Sequence, residues 1–305
     1  MSLKRKFMCG GLLSAALSAL ILAPLPTLAQ SQKLPSFAII QNQDRTFRPG
    51  ADYDTIIERG WMDMGVYEDF PPYASLVDGE PHGVDVDLAH LIAKEIGVEA
   101  KIHFLPAGES VDADLRFHVW KGPLVGEQVM NVMMHVPYNR ELDIRNEQVV
   151  LTGQYMRESS AIAYSTEYYP DEKPVPAYFR FDKVGVENAS LADFYLSSVG
   201  NGSLLPNMKR YPTPEAAMKA LQAGEIPAVM GSLAQLEHRA GDGIAVHQPS
   251  FPGLSIGSWT LGVGIRHNYR QLGYAVDDAI RSAIEDGRMK AIFEKHGLTY
   301  QPPER

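Results

Sequence analysis

Residues 61–95, WMDMGVYEDFPPYASLVDGEPHGVDVDLAHLIAKE, constrain the fold more than any other stretch, because they read as strand, aromatic turn and amphipathic helix in immediate succession. Met62, Met64 and Val66 alternate with Asp63, Gly65 and Tyr67, the period-two pattern of a strand, until Pro71 and Pro72 stop it. Beyond Gly79 and Gly83, Val84, Leu88, Leu91, Ile92 and Ile96 fall at helical spacing, with Gly97 as the terminator. The product is a βα unit. In open α/β sheets, ligands sit beyond the carboxyl ends of the strands, which puts Tyr67, Glu68, Phe70 and Tyr73 where a ligand would lie. The same aromatics also suit plain packing.

Residues 1–29 read as an export signal: Lys4, Arg5 and Lys6 precede the apolar run from Leu12 to Leu25, and Thr27, Leu28 and Ala29 offer a cleavage site. That run falls short of the roughly 18 residues a membrane span needs, so no membrane insertion is expected after cleavage. The only cysteine, Cys9, lies inside the signal, so the mature chain can form neither a disulfide nor a thiolate metal site. Removing the signal leaves 25 basic against 37 acidic residues, a formal net charge of −12, which argues against nucleic acid as a partner. Residues 30–60 read as a polar extension with one short strand at 37–40.

The order of strand, F-P-P-Y, D-G and G-V-D-V-D-L-A-x-L-I-A resembles the opening of the family 3 periplasmic solute-binding proteins, the polar amino acid type of ABC importers. At the other end, D-G-x-x-x-x-I-F-x-K-x-G over 286–297 resembles the family's close, and the likeness runs over about 59–298. The resemblance implies a type II periplasmic binding protein, an α/β fold of two lobes with two crossovers. Lobe 1 is expected at 61–157 and 258–305, and lobe 2 at 158–257.

The chain in between supplies the expected site. The apolar run from Val132 to Val136 reads as a central strand buried on both faces, with His135 near its end. In the family, small hydroxyl residues at this strand end and a following arginine hold the ligand carboxylate. Here His135, Val136 and Pro137 replace the hydroxyls, and Arg140 and Arg145 both stand as candidates for the clamp, since a guanidinium fork suits a carboxylate. Residues 106–122 replace a plain helix, and His118, Trp120 and Lys121 suit either a rim over the cleft or a surface insertion. Asn188, Ala189 and Ser190 precede a helix whose start the family uses for the same carboxylate. Thr213, Pro214 and Glu215 open a further helix. At the end of the next strand Ser232 stands where the family has an ammonium-binding aspartate, and a serine brings no counter-charge.

Together these readings lead to a monomeric periplasmic receptor that captures a small, carboxylate-bearing ligand, with no cofactor and no metal. Its partner would be an ABC transporter permease. A quinoprotein alcohol dehydrogenase system is the alternative partner, with the chain as a periplasmic accessory. A dehydratase-like enzyme on the same scaffold is a further reading, with Glu68, Glu109, His135 and Glu187 as its only candidate acids or bases.

Overall fold

The computed structural model describes residues 50–122 and 128–304; the expected signal and the strand at 37–40 lie outside the described residues. In chain order the elements are α1 (Tyr53–Arg59), β1 (Trp61–Tyr67), β2 (Ser75–Val77), β3 (Glu80–His82), α2 (Val84–Ile96), β4 (Glu99–Leu105), α3 (Val111–Leu115), β5 (Val132–Pro137), α4 (Arg140–Arg145) and β6 (Val149–Ser165). There follow β7 (Val184–Glu187), α5 (Leu191–Ser198), β8 (Met208–Tyr211), α6 (Pro214–Gln222), β9 (Ala228–Ser232), α7 (Leu233–Arg239), β10 (Ile244–His247), β11 (Ser258–Arg266), α8 (Arg270–Glu285) and α9 (Arg288–Lys295).

The strands hydrogen-bond in the order β4-β1-β5-β11-β6-β9-β7-β8, with β10 added to β6. Strand β6 is the spine of this arrangement. Its residues up to Ser159 pair antiparallel with β11, whereas those from Ser160 onward pair with β9 and β10. One uninterrupted strand therefore carries the chain from the first lobe to the second, and β11 brings it back.

Each lobe buries both faces of its sheet. In the first, α2, α8 and α9 cover one face, while Leu115, Val119 and Leu142 from α3, the π-helical turn Arg116–Trp120 and α4 cover the other. In the second, Tyr195 and Leu196 of α5 pack on one side and Met218, Leu221 and Leu236 of α6 and α7 on the other. Strand β5 is a double-faced core strand, with Val132 and Met134 in one cluster and Met133 and Val136 in the other.

Two sequence expectations need correction. The alternation in β1 does not separate core from water, because Asp63 and Gly65 are buried as well. A Cβ at Gly65 would come within 2.4 Å of Leu105, and Asp63 is held by His103 Nε2 at 2.7 Å and donates its N–H to Asn131 at 2.8 Å. The extension ends not in loop but in α1, capped by Asp52 and stopped by left-handed Gly60. Its sequence YDTIIER buries a single apolar residue, Ile56, too little periodicity to announce a helix. Of the two readings left open for Trp120, the structure has the anchored insertion: the ring packs against the Leu115–Val119 cluster on the outer sheet face.

The lobes dock through the last turn of α7. Glu237 accepts from the N–H and hydroxyl of Thr299 at 2.8 and 2.7 Å, and Arg239 reaches the Pro71 carbonyl at 3.4 Å. Between them His238 is held below the usual imidazole range, first by burial and then by Arg239, His296 and His82. Folding therefore disfavours its protonation. Below about pH 6.5 the unfolded chain takes up this proton first, so the His238 contribution to stability is intact above that pH and declines as pH falls. Buried Glu158 and half-buried Glu187, pushed up, contribute with the opposite sign. We expect His238→Gln to flatten the fall in melting temperature between about pH 7 and 5.5; an unchanged slope would refute the assignment.

Candidate functional site

The turn after β1 is built by main-chain bonds. Phe70 N–H donates to Ala74 at 2.8 Å and Tyr73 N–H to Phe70 at 2.9 Å, while Val84 and Asp85 at the start of α2 donate to Pro72 and Tyr73 at 3.0 and 2.9 Å. The turn can approach the helix this closely because residue 83 is glycine. Its φ is 137°, and a Cβ there would lie 2.1 Å from the Tyr73 carbonyl oxygen. The aromatic groups then stack: Phe70 lies 5.2 Å from Tyr73 at 30°, and the His135 ring sits 4.2 Å from Tyr73 and 5.0 Å from Phe70.

Beneath these rings is a buried polar network. Asp85 accepts from the Tyr155 hydroxyl at 2.8 Å and from His135 Nδ1 at 2.9 Å. An ionised carboxylate only accepts, so His135 carries its proton on Nδ1 and turns Nε2 away from Asp85, where it has no partner among the described residues. The Tyr73 hydroxyl donates to Glu158, whose other oxygen accepts the Ser159 N–H at 2.7 Å. Burial pushes the Glu158 carboxyl up, and likewise the Tyr73 and Tyr155 hydroxyls.

Three adjoining hollows of about 180, 380 and 780 Å³ lie between the lobes, and Trp259 of β11 borders all of them. The 380 Å³ hollow is acidic, with Asp69, Glu158, Glu187 and Glu215 facing one cation, Arg239. Burial raises Glu187 against the opposing pull of Arg239, and burial lowers Arg239. Glu215 is exposed and paired with Lys219 at 2.7 Å. The 780 Å³ hollow is lined by Arg140 and Arg157 together with Glu141 and Glu304. Arg157 pairs with Glu304, whereas Arg140 has no ion-pair partner among the described residues.

Of the residues expected at the site, Phe70, Tyr73, His135, Arg140, Ser190 and Ser232 border these hollows, with Ser232 hydrogen-bonded to Gln235 at 2.9 Å. Tyr67 stands one layer back, its hydroxyl on Asp114 at 2.7 Å and its ring edge-on to Phe70. Arg145 lies off the cleft, bound to Asp112 at 3.2 Å. Asn188 and Ala189 are turned away from the hollows, and their N–H groups are taken by Tyr211 and Asp193 at 2.8 and 3.0 Å. With Asp193 seated there, an anion at those amides would meet a carboxylate. Glu68 and Glu109 are exposed outside the lining, while Glu187 is in it.

Sequence reasoning passed over Asp85, Glu158, Arg239 and Trp259. A readable signal existed for Glu158, the only carboxylate in the long strand VVLTGQYMRESSAIAYS. Glu187 at the end of β7 and Glu158 on β6 line the same hollow as Ser232. Among the described residues, no group of three or more His, Cys, Asp or Glu is arranged to hold a metal, and no helix is long and apolar enough to cross a membrane.

Two α/β lobes joined by two strands, with polar and aromatic side chains converging between them, make up the fold of the type II periplasmic binding proteins. Residues 62–113 match the sequence pattern of the bacterial extracellular solute-binding proteins, family 3. No curated protein matches the chain. Solved structures share its fold at low identity. An ancestral cationic amino acid solute-binding protein aligns at 20% identity over 80% of this chain and 99% of its own, with a TM-score of 0.65. An amino acid ABC transporter substrate-binding protein from Streptococcus pneumoniae, bound to L-arginine, aligns at 21% over 81% and 98%, with a TM-score of 0.57. An ancestral amino acid-binding protein described as a precursor of cyclohexadienyl dehydratase aligns at 19% over 80% and 98%, with a TM-score of 0.56.

Proposed function

We propose that this is a periplasmic solute-binding protein that captures a small zwitterion between its lobes, carboxylate toward Arg140 and cationic group toward Glu187, Glu158 and Asp69, for delivery to a membrane transporter. The observation that carries the reading is the placement of charge along the cleft: carboxylates cluster beside Phe70, and at the other end, past Trp259, the Arg140 guanidinium stands without an ion-pair partner among the described residues, in a hollow that Arg157, Glu141 and Glu304 also line. A cation leaving water needs a partly buried carboxylate beside it, and aromatic faces add cation–π attraction. A guanidinium matches the opposite end of such a ligand. The arginine-bound relative is consistent with this class.

Calorimetry on the mature chain should use matched probes: L-arginine, the amine agmatine, which lacks its carboxylate, and the amine-free carboxylate valerate. We expect the zwitterion to bind tightest, Arg140→Ala to remove its advantage over agmatine, and Glu187→Gln to weaken both cations by about tenfold. Valerate binding as tightly as arginine would overturn the charge assignment, and failure of every zwitterionic amino acid would overturn the receptor reading. A catalytic reading draws on one feature, the Asp85-held His135 facing the cleft. Ligand recovered chemically unchanged after prolonged incubation separates binding from turnover.

A further inference from the structure

We propose that lobe 2 carries a second ligand site, independent of the cleft, for a small carboxylate with an apolar body. A hollow of about 600 Å³ lies between the Lys173–Arg180 segment, α5 and the loop after β10. None of its lining residues borders the three hollows of the cleft. Its volume is that of a small-molecule site rather than a packing defect.

Two properties define the ligand. The walls are apolar: Val175, Pro176, Val199 and Pro249 surround a floor of buried Tyr195 and Leu204. All its ionisable polar groups other than Tyr195 are basic, namely Lys173, Arg180 and His247, and the lining includes no aspartate or glutamate although the chain carries 37 acidic residues. Lys173 and Arg180 make no side-chain hydrogen bond or ion pair among the described residues, whereas Arg145, Arg157, Arg210, Arg281 and Arg288 are each paired with a carboxylate. His247 donates from Nε2 to the Pro174 carbonyl at 2.9 Å, which fixes its ring and leaves Nδ1 as its remaining polar atom.

The rim is shaped to keep this space open. Gly200 and Asn201 both adopt left-handed backbone angles, with φ of 60° and 55°. A Cβ at Gly200 would come within 2.6 Å of Ser203 Oγ and 3.7 Å of the Arg180 guanidinium. An anionic head between Lys173 and Arg180, with its tail on Leu204 and Tyr195, satisfies both halves of the hollow. An uncharged molecule would leave both cations without a partner.

The test is direct binding of octanoate to the mature protein, with 1-octanol as the uncharged control. Octanoate should bind at a single site, 1-octanol should bind about tenfold more weakly or not at all, and Lys173→Ala/Arg180→Ala should lower octanoate affinity by about tenfold or more. Both substituted residues are exposed, so the fold should survive, and an unchanged melting temperature of the ligand-free variant verifies it. Phe70→Ala in the cleft should leave octanoate binding intact. The proposal fails if octanoate does not bind, if octanol binds equally well, or if the cleft variant abolishes binding while the lobe 2 variant does not.

Discussion

Gly83→Ala is expected to lower the unfolding free energy by about 3–5 kcal/mol and to abolish ligand capture in the cleft. The new Cβ would occupy the position of the Tyr73 carbonyl, 2.1 Å away, at a φ of 137° that a side chain rarely adopts. Relief requires the Phe70–Ala74 turn to lift off α2, which breaks the bonds from Val84 and Asp85 and moves the Phe70 and Tyr73 rings with them. Gly79→Ala is the matched control. That residue also has a positive φ, 86°, but nothing lies within 4 Å of its Cβ position, so only the left-handed penalty of about 1–2 kcal/mol should appear. Urea unfolding of the two variants compares them directly. Equal losses would mean that backbone angle alone, and not the contact with Tyr73, makes glycine necessary at 83.

The second large effect belongs to Asp85. Asp85→Ala removes the shared acceptor of the buried Tyr155 hydroxyl and of the largely buried His135 Nδ1, and should cost about 3–5 kcal/mol. Much of that loss is the cost of the orphaned donors. Adding Tyr155→Phe to Asp85→Ala should therefore cost less than the sum of the two single changes, a coupling of about 0.5–3 kcal/mol. Strict additivity in a double-mutant cycle would show that the three groups do not act as one network. His135 should also lose its orientation, so ligand affinity should drop in Asp85→Ala even under conditions where the variant is fully folded.

The contrast between these residues and the ones read from sequence has a physical origin. Periodicity announces elements whose apolar faces repeat, which is why β5, α2 and α6, with its Thr213 cap and Pro214, were legible. It also placed Phe70, Tyr73 and His135 together, because each follows the end of a sheet strand or lies near it. It could not reveal Asp85, since an acidic residue in the first turn of a helix is what the helix dipole favours anyway. Whether such a carboxylate meets water or a histidine 50 residues away is decided by strand order, not by local spacing. Arg145 shows the converse: its spacing suited the clamp, yet the rotation of α4 turns it to Asp112 and leaves Arg140 at the cleft. The helix start at 190 read as an anion site because its sequence does not disclose that Asp193 folds back onto those amides.

The chain holds three tryptophans in very different surroundings. Trp61 is clasped between Arg59 at 3.6 Å and Lys101 at 3.4 Å, and Trp120 leans on an outer cluster away from the lobes' junction. Trp259 alone borders the hollows where a solute would rest, on the strand that returns between the lobes. The protein therefore contains its own optical gauge of occupancy. With Trp61 and Trp120 replaced by phenylalanine, emission comes from Trp259 alone, and arrival of a molecule in the cleft can be followed in real time without a label.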